Sequence, residues 1–137
     1  ITGASAGIGA EFARQYAALG WDLALTARRE DKLTELADEL RAAHNVEVLV
    51  IAQDLSRVSA PEKIVKALTE AGRHADALIN NAGYGLPGTF FNTTWKEQGD
   101  FLRVLYGAPI ELCHKLLPGM AERGYGRIIN VASLAGY

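Results

Sequence analysis

A single cysteine, Cys113, in 137 residues rules out an internal disulfide, and its place in an apolar helical pattern makes it a small core or interface residue. A reducing, cytoplasmic setting is the default that follows. No apolar run approaches the roughly 20 residues that a bilayer span requires, and no charged-then-apolar leader precedes the first motif, so a soluble chain is expected. An excess of one charge is also missing. The 14 Lys and Arg stand against 16 Asp and Glu with no basic block among them, which leaves neither nucleic acid nor an anionic membrane as an expected partner. His44, His74 and His114 show no ligand spacing, and no metal site is expected. Internal repeats and low-complexity linkers are absent as well.

What the chain does have is apolar content, 49%, enough for the core of one domain spanning residues 1–137. Ile8, Phe12, Tyr16 and Leu19 recur at helical spacing and Gly20 stands where a helix ends, which predicts a helix from about Gly7 to Leu19. Leu23 to Ala27 reads as a short buried strand. Leu33, Leu36, Ala37 and Leu40 form the inward stripe of a second helix, with Arg28, Arg29, Glu30 and Asp31 at its entrance. Val46 to Ala52 is the aliphatic run of a parallel strand covered on both faces. Ser59 as cap and Pro61 as an early helical position open a third helix. A strand from Ala75 to Asn80, a glycine-rich loop, a long helix from about Thr94 to Arg123 and a strand from Arg127 to Val131 complete the pattern. Alternating strands and helices imply a parallel sheet with right-handed crossovers, an α/β doubly wound fold of Rossmann type.

The opening carries the chemistry. Thr2-Gly3-Ala4-Ser5-Ala6-Gly7-Ile8-Gly9 packs glycine and small residues into the turn before a helix, where backbone N–H groups and the helix dipole can receive a phosphate. The same glycines would also serve a tight turn with close helix–strand packing. Two further motifs follow in order: Asn80-Asn81-Ala82-Gly83 after the strand Ala77-Leu78-Ile79, and Gly126-Arg127-Ile128-Ile129-Asn130-Val131-Ala132-Ser133. The set T-G-x-x-x-G-x-G, N-N-A-G and the serine-terminated strand resembles the short-chain dehydrogenase/reductase family over the whole chain.

That resemblance implies a dinucleotide lying against Thr2, Gly3, Ser5, Gly7, Ile8 and Gly9. Asp54 and the Leu55 backbone would meet its adenine, and Asn80, Ala82 and Gly83 would line its ribose. Asp54 also suits an ordinary cap or turn, the less favoured of its two readings, while Asn81 reads equally as a structural amide or a ligand contact. Ala27 occupies the place of the acidic residue that would hold the ribose 2′-hydroxyl of NAD, and Arg28 follows it where NADP-preferring members carry a basic residue. A guanidinium there pairs with a 2′-phosphate, so NADP(H) is preferred over NAD(H). Ser133 matches the catalytic serine that hydrogen-bonds the substrate carbonyl or hydroxyl.

The family's tyrosine and the lysine four positions after it belong about a dozen residues beyond Ser133, and no such pair occurs in residues 1–137. Tyr137 does not substitute for that tyrosine; it reads as the start of a loop. Only Ile1 and Thr2 precede Gly3 where a full strand is needed, so the fold is expected to be truncated at both ends, a piece of a longer protein. Leu105 takes the place of the family asparagine that holds a relay water. The long helix is apolar on more than one stripe, which points to two partners: the sheet, and either the same helix of a second copy in a homodimer or homotetramer or the family's C-terminal helix. Two functions follow: an oxidoreductase interconverting a small-molecule carbonyl and a secondary alcohol with NADP(H), or a non-catalytic dinucleotide-binding or regulatory member of the same fold.

Overall fold

Residues with positive φ stop the helices and thereby set where strands begin. In the computed structural model, which describes residues 1–133, α1 (Gly7–Ala18), α2 (Glu30–His44) and α3 (Ala60–Glu70) are followed within two residues by Gly20, Asn45 and Gly72, all at positive φ. Between them lie β1 (Leu23–Ala27) and β2 (Val48–Ala52); β3 (Ala77–Asn80) follows α3. The chain then passes through a short 3₁₀ turn, Phe90–Asn92, into α4 (Trp95–Leu102), a π-helical turn at Arg103–Gly107, α5 (Ala108–Glu122) and β4 (Arg127–Asn130).

Two expectations change. The long helix is interrupted by the π turn, and Ser59 stands before α3 without a side-chain capping bond, its backbone already in the helical region. Pro61 does lie in the first turn of α3. At α4 a full capping box forms instead: the Thr94 hydroxyl accepts from the Glu97 N–H while the Glu97 carboxylate accepts from the Thr94 N–H.

β1 pairs with β2 and β3 with β4, both in parallel. Residues 1–4 join the two pairs into one sheet. Thr26 N–H donates to Ile1 O at 2.9 Å and Ala4 N–H to Thr26 O at 3.2 Å on one side, while Thr2 N–H donates to Ile79 O at 2.9 Å on the other. Strand alternation then sorts the core. Leu23, Leu25 and Val48 pack with α1 and α2, and Ile51 and Leu78 pack with α3 and α5 on the opposite face. Each fully buried leucine or isoleucine of these clusters contributes about 1.5–3 kcal/mol.

The join at residues 1–4 is locked by side chains. Thr2 is 4% exposed, and its hydroxyl donates to Ile79 O while accepting from the Asn81 and Ala82 N–H groups, each at 3.0 Å. All three hydrogen-bonding positions of the hydroxyl are used. The Asn81 carboxamide returns the contact, donating to Thr2 O at 3.0 Å and Gly3 O at 3.4 Å. Thr2→Val removes the acceptor for two backbone N–H groups. Urea unfolding is expected to show a loss of about 2–4 kcal/mol for it, whereas Thr2→Ser, which keeps the hydroxyl, loses about 1 kcal/mol.

Candidate functional site

A doubly wound sheet opens a crevice at the carboxyl ends of its strands where the winding reverses, and here the reversal falls at residues 1–4, between β1 and β3. A groove of about 800 Å³ occupies this place. It gathers Gly3, Ser5 and Ile8 from the glycine-rich turn, Arg28 from the end of β1, Asp54 and Leu55 from beyond β2, Ala82 and Gly83 from beyond β3, and Ser133 from beyond β4. Sequence separations of up to 130 residues are thus closed into one surface. A second cavity of about 670 Å³ lies at the amino ends of the strands and holds none of the motif residues except Thr2, which lies beneath the turn.

The three glycines do different work. A Cβ on Gly9 would stand 2.4 Å from Gly3 O and 2.5 Å from Asn81 Nδ2, and one on Gly3 would stand 2.8 Å from Ala82 Cα. Both glycines admit the Asn81-Ala82 segment against the turn. Gly7, at φ +55°, would project a Cβ into open space at the first residue of α1, the end where unpaired N–H groups collect. The members of the motif therefore differ: Gly3 and Gly9 pack closely, and Gly7 leaves the helix end open.

At one end of the groove Arg28 forms no hydrogen bond or ion pair among the described residues and acts on Asp54 through its charge. Its neighbour Arg29 is engaged, donating to the Ser5 hydroxyl at 3.0 Å and to Ser5 O at 3.3 Å. Burial pushes the Asp54 carboxyl up, but the Ser56 N–H at 3.0 Å, the Ser56 hydroxyl and the Arg28 and Arg57 charges outweigh it and hold the group below its usual range. Asp54 is thus an anionic acceptor at neutral pH. Leu55 is buried in the core cluster and also borders the groove. Tyr84 closes this side, edge-on to Phe101 with ring centroids 5.6 Å apart, and desolvation raises its phenol pKa.

At the other end, the chain beyond Asn80 and Asn130 leads to Ser133. Asn80 is 6% exposed and lies behind the groove wall, donating through Nδ2 to Asn130 Oδ1 at 2.9 Å, while its carbonyl accepts from the Val131 N–H at 2.9 Å. The two asparagines therefore face opposite ways: Asn81 holds the glycine-rich turn, and Asn80 holds the strand that leads to Ser133. Leu105, in the π turn, is part of the groove wall, its Cδ2 3.0 Å from where a Gly83 Cβ would be. Phe101 and Val104 also line the groove and carry no motif that the sequence could have shown. Among the described residues no cluster of three metal-ligating side chains forms. Tyr137 lies outside the described residues.

The family model for short chain dehydrogenase matches residues 1–137. Sulfoacetaldehyde reductase 2 of Chromohalobacter salexigens is 36% identical to the chain over 138 aligned residues, which take in 99% of this chain and 54% of the relative. A very-long-chain 3-oxoacyl-CoA reductase of Laccaria bicolor is 34% identical over 99% of this chain and 41% of its own. L-sorbose reductase from Gluconobacter frateurii, solved in complex with NADPH and L-sorbose, superposes with a TM-score of 0.92 at 35% identity, covering 98% of this chain and 51% of that one. The chain spans about half the length of the curated relatives it matches.

The unequal surroundings of the glycines make a stability prediction. Gly9→Ala drives a Cβ into backbone and is expected to cost more than about 3 kcal/mol in urea unfolding. Gly7→Ala meets no atom and pays only for its positive φ, about 1–2 kcal/mol.

Proposed function

Because this chain belongs to the short chain dehydrogenase family, we propose that the protein carrying it is a nicotinamide-dependent oxidoreductase that interconverts a small-molecule carbonyl and a secondary alcohol, with NADP(H) preferred over NAD(H). The observation that carries the cofactor preference is Arg28, a guanidinium on the groove with no hydrogen bond or ion pair among the described residues, next to Ala27, which stands where a carboxylate would serve NAD. NADPH in the solved L-sorbose reductase, the same fold, supports it.

The residues fit such a cofactor. Gly7 leaves the amino end of α1 open for a pyrophosphate, Arg28 meets a 2′-phosphate, and ionised Asp54 accepts from an adenine amino group. Thr2, Gly3 and Gly9 act on it through the shape of the turn, and Ser5 through its place beside Arg29; Ile8, Ala82 and Gly83 supply wall. Asn80 contributes by holding the strand beside it. When bound, the nicotinamide supplies or accepts hydride. Ser133 then holds the reacting oxygen by a hydrogen bond. The acid–base tyrosine and lysine of the family are absent from residues 1–137.

A second reading, a dinucleotide-binding member without turnover, is favoured by Leu105, an aliphatic side chain on the groove at the place of the family's water-holding asparagine. NADPH oxidation with carbonyl substrates separates the two: binding without turnover selects the second. Leu102, Tyr106, Ile110 and Leu117 form one exposed stripe along the helix, which supports association with a second copy in a homodimer or homotetramer. No helix among the described residues is long and apolar enough to cross a membrane; a cytoplasmic setting is part of this proposal.

Arg28→Ala is expected to raise the NADPH dissociation constant about 10- to 100-fold and leave that for NADH within about threefold, the value of a charge-assisted phosphate contact. Equal changes for the two cofactors in a fluorescence titration contradict the preference.

A further inference from the structure

One side chain, Arg103, spans the π turn between α4 and α5. Arg103 begins the turn, and its guanidinium runs forward along the helix to pair with the Glu111 carboxylate, eight residues on, while Nη2 also donates to Val58 O at 3.0 Å. The pair is half-buried, with side-chain exposures of 21% and 29%. The arm passes directly over Gly107: a Cβ there would stand 2.9 Å from both Arg103 Cδ and Nη1. Arg103 is absent from the groove lining, yet it touches the supports of two walls. One is the turn that points Val104 into the core and sets Leu105 against Gly83. The other is the Asp54–Val58 loop, whose far end it holds through Val58 O while Asp54 and Leu55 face the groove.

We infer that Arg103 is a positioning residue for the cofactor groove, fixing the distance between the Leu105 wall and the Asp54 wall through its bonds to Glu111 and Val58 and needing the bare flank of Gly107 to do so. This rests on the dinucleotide reading of the groove. π turns inside α-helices recur at functional sites because the inserted residue changes which side chains face the site. Here the inserted turn is stabilised by a clamp that leaves no mark in any cofactor motif. Preorganised walls bind more tightly than walls that must be ordered on binding.

Gly107 permits a clean test. Its backbone is helical at φ −63°, so Gly107→Ala improves helix propensity while displacing the Arg103 arm. NADPH fluorescence titrations and thermal melts are made on the unsubstituted protein, Gly107→Ala, Arg103→Met and the double variant. The expected result is an NADPH dissociation constant raised about tenfold in each single variant and no further in the double, with the Gly107→Ala melting temperature unchanged or higher, because both substitutions remove one interaction. Single variants within twofold of the unsubstituted protein, or effects that multiply in the double, overturn the assignment of Arg103 while leaving the dinucleotide reading intact. Absence of NADPH binding by the unsubstituted protein overturns that reading and this inference together.

Discussion

The hydroxyl of Thr2 and the carboxamide of Asn81 lock residues 1–9 to the end of β3, and the geometry of the groove follows from that lock. Between them they satisfy two backbone N–H groups and three backbone carbonyls in a space too narrow for a Cβ on Gly3 or Gly9. Backbone polar groups buried without partners are costly, so the turn has one way to sit. With it seated, α1 starts at Gly7 with its amino end toward the crevice, and β1 and β3 are held on either side of residues 1–4.

From this fixed centre the charged groups take their places. Arg28 leaves β1 on one side of the turn, and Asp54 leaves β2 one strand further out, close enough for the Arg28 charge to help keep its carboxyl ionised. On the other side, Asn80 ties β3 to β4 by side chain and main chain alike, which brings Ser133 to the opposite end of the same groove. Adjacent asparagines on one strand end thus join the glycine-rich turn and the serine-bearing strand. An oxidoreductase of this family needs that arrangement, because hydride transfer depends on holding cofactor and reacting carbon at one spacing.

Much of this was legible in the sequence because glycine, asparagine and apolar periodicity act locally. Gly20 follows α1 where the sequence places a helix end, and the β-branched and aliphatic run from Val46 to Ala52 holds β2, a strand covered on both faces. The roles inside the motifs were not legible. Gly3, Gly7 and Gly9 are the same residue in the same turn, and only the position of Asn81 in space separates the two that pack from the one that opens toward solvent. The π turn was invisible for a different reason: Val104, Ala108 and Leu112 keep a four-residue spacing through it, so the apolar pattern reads as an unbroken helix. Ser59 has the right type and place for a cap, yet Pro61 and the helical backbone at Ser59 itself already start α3 without it.

Hydrogen–deuterium exchange with and without NADPH tests directly whether the groove at the carboxyl ends of the strands is the dinucleotide site. Slowed exchange is expected in residues 2–10, 28–30, 54–56 and 81–84, with residues 19–24 and 71–76 around the opposite cavity unchanged. Slowing confined to those latter segments, or no slowing at saturating NADPH, contradicts that assignment.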